Sequence, residues 1–259
     1  MISTSGIEIS GISSALGDGR TGLDELVDRA VEGFRGAGAG GVVAATFSNP
    51  RRFPSLAVRV ARMLGLSAST PAFDVQMACS AYPYAVYLAG KIAADIGKPV
   101  LVVDGDAQIP LVDPSDRATG NIFADAATAS LVSVADGEES RFGFLSSYDG
   151  ALACPSAGPI AMDGFKVFSF VATEVVAFLR GFGVDFDIFA PHQANPYMVR
   201  QLARSLGLSD ILATVPDNLK NTGSCSVALA LEACGRKGRA LIAGFGAGFS
   251  ACAGIVRYR

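Results

Sequence analysis

Short β-branched runs alternate with helical segments along this chain, and the same alternation occurs twice. The runs that predict strands are 41–46, 72–77, 99–104, 187–191, 212–215 and 240–244. Helical periodicity lies between them, most clearly at 56–64, 84–96, 199–206 and 227–234. Strands that alternate with helices predict an α/β fold whose parallel sheet is covered on both faces.

Corresponding strands of the two series begin about 140 residues apart, which predicts an internal duplication of an α/β unit. We therefore expect an N-terminal half over residues 1–140 and a C-terminal half over residues 141–259. Residue identity between the halves is low, so a single doubly wound sheet remains the alternative.

Composition excludes several classes of function. The net charge of −3 does not suit a nucleic-acid partner, because the phosphate backbone selects basic surfaces. The single histidine excludes chemistry that needs several imidazoles. Five cysteines without a CxxC spacing fit neither a disulfide framework nor a zinc site, and reduced thiols favour a cytoplasmic protein. No signal peptide and no membrane span are expected.

Cys79 lies where a predicted strand ends and a helix begins. The dipole of a helix favours a thiolate at its N-terminus, and backbone N–H groups there can stabilise an oxyanion. A cysteine is nevertheless most often a small buried apolar residue. That interpretation is retained for the other four cysteines, which are Cys154, Cys225, Cys234 and Cys252.

Two further polar residues follow strands of the second half. His192 comes directly after the strand at 187–191, at the sheet edge where α/β proteins bind ligands. Asn221 lies between a strand and a helix, about 140 residues after Cys79, although an asparagine there is normally a cap or a turn residue. The glycine-rich turn at 244–248 matches no phosphate-binding motif, so we expect its backbone amides to line the site.

These residues occur in motifs that resemble β-ketoacyl-acyl carrier protein synthase III, a family of thiolase-fold condensing enzymes. PHQAN at 191–195, the asparagine-threonine motif at 221 and GFGAG at 244–248 together are highly specific. The matching segments, in the order of the family, are 71–85, 116–132, 162–168, 191–195, 221–231 and 244–257. The resemblance implies two pseudo-duplicated halves in a layered αβαβα sandwich.

The resemblance also implies the chemistry of each site residue. Cys79 would take an acyl group from a thioester, with the amides of Cys79 and Ala247 as the oxyanion hole. His192 and Asn221 would bind the malonyl thioester during loss of carbon dioxide. The implied substrate-binding residues are Arg117, Gly164, Phe168 and Asn195.

The implied substrates are acyl-CoA or acyl-ACP together with malonyl-ACP, in fatty acid biosynthesis. Acyl carrier protein is the implied partner, and no metal or other cofactor is expected. The fold implies a homodimer through the strand near 99–104, although a heterodimer with a homologue stays open.

Three departures from the family pattern carry further expectations. The chain opens almost on the family's R-T-G-I-x-x-R motif, at residues 4–10, with Thr4 and Ser10 at the arginine positions. A missing first strand should leave a gap or a rearranged edge in the first sheet. The chain has no tryptophan to stack on adenine, and Tyr197 occupies a position that is basic in members that dock a carrier protein. Residues 145–162 are shorter than their counterpart, which predicts a more open tunnel mouth.

Three functions follow in order of preference. The first is a decarboxylative Claisen condensation that makes a 3-oxoacyl thioester through acyl-Cys79. The second is an acyltransferase of the same fold in a secondary pathway, which passes the acyl group to another nucleophile. The third is a non-catalytic, truncated subunit that pairs with a complete homologue.

Overall fold

Ten strands and seven α-helices make up the computed structural model, which describes all of residues 1–259. The strands are β1 (Ile2–Leu16), β2 (Gly41–Ala45), β3 (Ala72–Val75), β4 (Val100–Asp106), β5 (Ala126–Asp149), β6 (Leu152–Ala153), β7 (Ala161–Met162), β8 (Ile188–Pro191), β9 (Gly238–Gly246) and β10 (Gly248–Tyr258). The helices are α1 (Leu23–Val31), α2 (Leu56–Met63), α3 (Ala81–Ile96), α4 (Gly164–Phe170), α5 (Val176–Arg180), α6 (Pro196–Leu206) and α7 (Cys225–Cys234). A π-turn joins α4 to α5. No helix combines the length and the apolar character that crossing a bilayer requires.

Eight strands form one sheet in the order β3-β2-β4-β5-β1-β10-β9-β8, and β6 and β7 form a separate hairpin. The same arrangement occurs twice within the large sheet. In the first unit, β2 and β4 are parallel, β5 runs antiparallel to β4, and β1 pairs with β5. In the second, β8 and β9 are parallel, β10 runs antiparallel to β9, and the far end of β5 pairs with β10.

Strand β5 connects the two units. It pairs with β1 up to Phe142 and with β10 from Arg141 onward, so the two ladders change over at residues 141–142. We propose that the repeat boundary lies at 140/141, where this changeover occurs, because each side of it then has the same strand order.

Three apolar clusters define the layers. One cluster lies under α1 and α2 in the first unit, and another lies under α4, α5 and α6 in the second. The third and largest contains α3, α7 and strand residues from both units. The paired helices α3 and α7 are therefore sandwiched between the two units, and their N-termini come to a common region.

The segment at 212–215, predicted as a strand, makes only an isolated bridge between Phe189 and Leu212. The side chain of Gln193 supplies further hydrogen bonds to this segment. Its Nε2 donates to the Ala213 carbonyl at 3.3 Å, and its Oε1 accepts from the Val215 amide at 3.4 Å. The Gln193 side chain thus takes the place of a neighbouring strand for Ala213 and Val215. Without continuous backbone pairing, the segment does not form a regular strand.

The expected gap in the first sheet is wrong. Strand β1 fills the sheet between β5 and β10, with Ile7 and Ile9 buried in the central cluster. Residues 4–10 therefore belong to a central strand. Within this segment residues 4–9 pair with β5, whereas Ser10 is exposed and lies at a register shift between Ile9 and Ile12.

The expected dimer contact through residues 99–104 is also wrong. Strand β4 is paired on both sides, by β2 and by β5, so it has no free edge for a second subunit. The edge strands of the sheet are β3 and β8, and β8 is covered by the bridge to Leu212. The open edge is β3.

Candidate active site

Cys79 lies in a one-turn 3-10 helix, Ala78–Ser80, that leads directly into α3. Ala78 has a φ of 43°, in the left-handed region that residues other than glycine seldom adopt. Backbone strain of this kind persists where the surrounding structure fixes it, and it is concentrated at functional sites. Here it turns the chain sharply at the end of β3 and places Cys79, which is 6% exposed, at the N-terminal end of the central helix.

Burial raises the pKa of the Cys79 thiol to about 11, and the nearby carboxyls of Asp106 and Asp104 act in the same direction. Hydrogen bonds from the backbone of Ala247 and of Cys79 itself lower the pKa, but they do not outweigh desolvation. Burial of the sulfur therefore opposes the thiolate that the helix N-terminus favours. The amides of Ala247 and Cys79 thus both lie beside the sulfur, and they are the candidate donors to an oxyanion that forms next to it.

His192 follows β8 and is 2% exposed. Burial lowers its pKa to about 4, and a hydrogen bond with the Gly223 backbone acts in the opposite direction. The imidazole is therefore neutral at pH 7. Its Nδ1 lies 2.8 Å from Ser226 Oγ, which also accepts from the Gln193 amide at 3.0 Å. Because that hydroxyl can donate its own proton to Nδ1, the network favours the tautomer with the proton on Nε2.

Asn221 is 8% exposed and is held from both sides by backbone hydrogen bonds. Its amide donates to the Ile122 carbonyl and its carbonyl accepts from the Ala124 amide, each at 2.9 Å. Its side-chain Oδ1 accepts from the Gly223 amide at 2.9 Å. The turn therefore holds Oδ1 against the Gly223 amide. The Nδ2 group of Asn221 remains free to donate a hydrogen bond to a substrate.

Two cavities meet at Cys79. One, of about 130 Å³, is lined by Cys79, His192 and Asn221 together. The other, of about 430 Å³, extends from Cys79 over a mainly apolar surface to a rim that includes the exposed Ser147 and Cys154. Cys79, Phe123 and Leu152 line both cavities. The sulfur can therefore be approached from one side by a group bound at His192 and Asn221, and can hold an acyl group on the other.

The glycines of the 244–248 turn are needed for close approach to Cys79. A Cβ at Gly244 would lie 2.8 Å from the Cys79 carbonyl oxygen, and a Cβ at Gly246 would lie 3.2 Å from the sulfur. Gly246 also has a φ of 151°. Any side chain at these two positions would displace the backbone that carries Ala247, so the turn serves as a close wall of the site.

The remaining site residues of the sequence analysis differ in their placement. Gly164 and Asn195 line the smaller cavity with His192, and Asn195 also caps α6 by accepting from the Met198 amide. Phe168 stacks against Tyr197 with ring centroids 6.4 Å apart. Arg117 lies in an exposed turn and lines neither of the two cavities.

Two polar residues of the site escaped the sequence analysis. Ser226 orients His192 through the hydrogen bond between its Oγ and Nδ1. Nothing in the sequence around Ser226, five residues after Asn221, indicates that contact. Gln108 is 1% exposed and ties the Asn221 carbonyl to the end of β4. A glutamine directly after a buried strand was the available signal, because such a residue must find hydrogen-bond partners inside the protein.

A buried carboxyl pair lies behind the site. Asp104 is wholly buried, accepts from Ser224 Oγ at 2.7 Å through Oδ1, and has no partner for Oδ2. Burial raises its pKa well above the ordinary value. Burial also raises the pKa of Asp106 to about 6, although four donors contact its Oδ1.

Replacing Asp104 with asparagine is expected to stabilise the protein increasingly as the pH rises above about 4. The folded chain keeps a proton on Asp104 that the unfolded chain releases above its ordinary pKa of 3.8. The wild type therefore loses stability as pH rises from that value towards the raised pKa, and asparagine does not titrate. Thermal unfolding midpoints of both proteins at pH 4, 6 and 8 test this. A difference that does not grow with pH would contradict it.

Comparison with known proteins identifies the family. The model of 3-oxoacyl-[acyl-carrier-protein] synthase III matches residues 73–151, and the model of its C-terminal region matches residues 183–258. β-Ketoacyl-[acyl-carrier-protein] synthase III from Neisseria meningitidis is 32% identical over 245 residues, which cover 84% of this chain and 76% of that protein. The Salmonella typhi protein of the same name is 32% identical over 243 residues, with the same coverage.

Solved structures agree with the sequence matches. 3-Oxoacyl-(acyl carrier protein) synthase III from Pseudomonas aeruginosa is similar with a TM-score of 0.87 and 25% identity, over 98% of both chains. The priming β-ketosynthase of the R1128 polyketide pathway gives a TM-score of 0.81 and 27% identity, over 98% of this chain and 97% of that one. The layered, twofold-repeated sheet described above is thus the thiolase-type fold. The chain belongs to the 3-oxoacyl-[acyl-carrier-protein] synthase III family of condensing enzymes.

Proposed function

We propose that this enzyme makes a 3-oxoacyl thioester by condensing an acyl group held on Cys79 with a malonyl group carried by acyl carrier protein. The observation that carries the proposal is that Cys79, His192 and Asn221 line one buried cavity. The three residues come from distant parts of the chain, and each is held by its own backbone turn. Family membership makes a condensing reaction the first expectation for such a site.

The first half-reaction is acyl transfer. The Cys79 sulfur attacks the carbonyl carbon of an acyl thioester, the thiol proton leaves, and the carrier departs as a free thiol. Negative charge develops on the carbonyl oxygen, and the amides of Cys79 and Ala247, which lie beside the sulfur, would donate to it. The high pKa of the thiol means that attack and proton loss are coupled, because little thiolate exists beforehand.

The second half-reaction is decarboxylation and carbon–carbon bond formation. Nε2–H of His192 and Nδ2–H of Asn221 would donate to the carbonyl oxygen of the malonyl thioester. The carbon–carbon bond to the carboxylate breaks, carbon dioxide leaves, and the electron pair forms an enolate that both donors stabilise. The enolate carbon then attacks the acyl-Cys79 carbonyl, and the Cys79 sulfur leaves. A neutral His192 suits this step, since it can donate without a counterion.

The carrier arm would approach past α4 and α6. Gly164 and Asn195 line the smaller cavity, and Phe168 and Tyr197 flank that side of the site. We propose these residues, with Arg117, as the binding surface for acyl-CoA, acyl-ACP and malonyl-ACP. The proposal requires no metal or organic cofactor, because bond cleavage and formation use only the thioesters and the three side chains.

The experiment is to incubate the protein with acetyl-CoA or a longer acyl-CoA and malonyl-carrier protein. The proposal predicts a 3-oxoacyl-carrier product and release of carbon dioxide. Acylated protein without condensation would instead support an acyltransferase of the same fold, for which the open rim at Ser147 and Cys154 offers room for another acceptor. No acylation with any thioester would support the non-catalytic subunit.

We propose further that two copies pair through the open edge strand β3, in a cytoplasmic enzyme. Exposed sheet edges favour pairing with a second chain, and Phe73 on this strand is 36% exposed. The five free cysteines are compatible with a reducing compartment.

Phe73→Lys is expected to shift the protein from dimer to monomer, because the two copies would bring like charges together at the shared edge. Sedimentation velocity over a range of concentrations measures the change. Val184→Lys is the matched control, since Val184 is 77% exposed on the turn before β8 and far from β3 in the strand order. A wild-type monomer, or an unaltered dimer in Phe73→Lys, would contradict pairing at β3.

A further inference from the structure

Two polar side chains in the wall of the larger cavity next to Cys79, Gln108 and Ser250, are almost completely buried. The Ser250 hydroxyl is satisfied within the chain, by the Ala247 carbonyl and Ser80 Oγ, each at 2.7 Å. The cavity has a volume of about 430 Å³, and most of the residues that line it are apolar. Gln108 is 1% exposed and follows β4 by two residues. The other glutamine in the wall, Gln76, lies on the exposed side. A buried polar group in such a surface is unusual unless its hydrogen bonds are satisfied.

The orientation of the Gln108 amide is fixed by the backbone. Nε2 donates to the Ala124 carbonyl at 2.8 Å and to the Asn221 carbonyl at 3.1 Å, so both of its protons are used. A flipped amide would place Oε1 against two carbonyl oxygens, which are acceptors only. Oε1 is therefore held in one direction, and no donor within the chain contacts it. It is a pre-oriented acceptor on a side chain that lines the cavity.

The cavity is several times larger than an acetyl group needs. Its volume corresponds to about 14 water molecules at ~30 Å³ each, whereas an acetyl group has three non-hydrogen atoms. A chain of medium length would fill this space better.

We propose that Gln108 is a specificity-determining residue, and that the acyl group accepted by Cys79 is of medium length and carries a hydroxyl that donates to Gln108 Oε1. This inference rests on the proposed acylation of Cys79. A purely alkyl chain leaves a buried acceptor unpaired. A hydroxyl supplies a hydrogen bond to it. Sites built around a hydrogen bond discriminate against ligands that lack it.

The test measures acylation of Cys79 by intact mass with three kinds of thioester. These are octanoyl-CoA, its hydroxy derivatives with the hydroxyl at each position from carbon 3 to carbon 7, and the corresponding oxo derivatives. At least one hydroxy isomer should acylate Cys79 about threefold to tenfold faster than octanoyl-CoA. The oxo compound of the same position should be slower than octanoyl-CoA, because a ketone only accepts. A wild type with no preferred hydroxy isomer would overturn the inference.

The variant Gln108→Met keeps an unbranched side chain of similar size and removes the acceptor. It should reduce the ratio of hydroxyacyl to alkyl rates to about one, whereas Gln76→Met in the same wall should leave the ratio unchanged. Loosening of Asn221 by the lost Nε2 bonds would lower both rates together, so the ratio is insensitive to it. An unchanged ratio in Gln108→Met would overturn the inference. If Cys79 is acylated but shows no preference for a hydroxyacyl group, the role of Gln108 is rejected and the proposed function stands. If no thioester acylates Cys79, the proposed function is rejected as well.

Discussion

Replacing Cys79 with alanine is expected to lower the rate of 3-oxoacyl product formation by about 10³-fold or more, because no covalent acyl intermediate can then form. Alanine is smaller than cysteine, and the site lies between two cavities, so the variant should fold. The measurement is the rate of product formation from acyl-CoA and malonyl-carrier protein.

Cys154→Ala is the matched control for that variant. Cys154 lines the larger cavity with Cys79 but is exposed and lies on its rim. It should retain a rate within about twofold of wild type, as surface substitutions away from the reacting atoms usually do. More than a tenth of the wild-type rate in Cys79→Ala would exclude Cys79 as the nucleophile.

His192→Ala and Asn221→Ala are expected to separate the two half-reactions. Each should lower malonyl decarboxylation by about 10²- to 10³-fold, the typical effect of removing one donor to a developing oxyanion. Acylation of Cys79 should fall much less, because the donors proposed for its oxyanion are the backbone amides of Cys79 and Ala247, which neither substitution removes. The two rates are measured independently, by carbon dioxide release and by intact mass.

Asn218→Ala provides a control three residues before Asn221, on the exposed part of the same loop. It should leave both half-reactions near wild type. Equal losses of acylation and decarboxylation in His192→Ala or Asn221→Ala would contradict the separate roles. Such a result would assign the two residues to general integrity of the site.

The chemistry of this protein could be predicted from sequence because it lies in short, contiguous motifs. The structure brings Cys79, His192 and Asn221 to one cavity, although of the three only His192 directly follows a fully buried strand. The alternation of strands and helices is also a local pattern. The predicted bounds of four helices therefore agree with the structure to within three residues, namely α2, α3, α6 and α7.

The strands that hold the two units together could not be predicted. Strands β1 and β5 mix polar and apolar residues because parts of each face solvent, and β10 is buried but rich in glycine and other small residues that do not mark a strand. Their order in the sheet depends on long-range pairing, such as Ile9 with Val132, which leaves no local pattern. The dimer contact expected near residues 99–104 did not take this pairing into account. The structure pairs β4 on both sides and leaves β3 as the open edge.

The ionisation of Cys79 shows a different limit. A helix N-terminus after the cysteine was visible in the sequence, and it predicted a thiolate. The burial of the sulfur, together with Asp104 and Asp106 behind it, depends on the packed structure and raises the pKa to about 11. Local electrostatics can be inferred from neighbouring residues, whereas desolvation requires the whole fold.

Mapping of the acylated residue shows whether Cys79 carries the acyl group. The protein is incubated with an acyl-CoA alone, its intact mass is recorded, and the modified peptide is mapped. We expect a mass increase of one acyl group that maps to Cys79, that is absent in Cys79→Ala and that is present in Cys154→Ala. An acyl group on another residue, or an equal mass increase in Cys79→Ala, would contradict it.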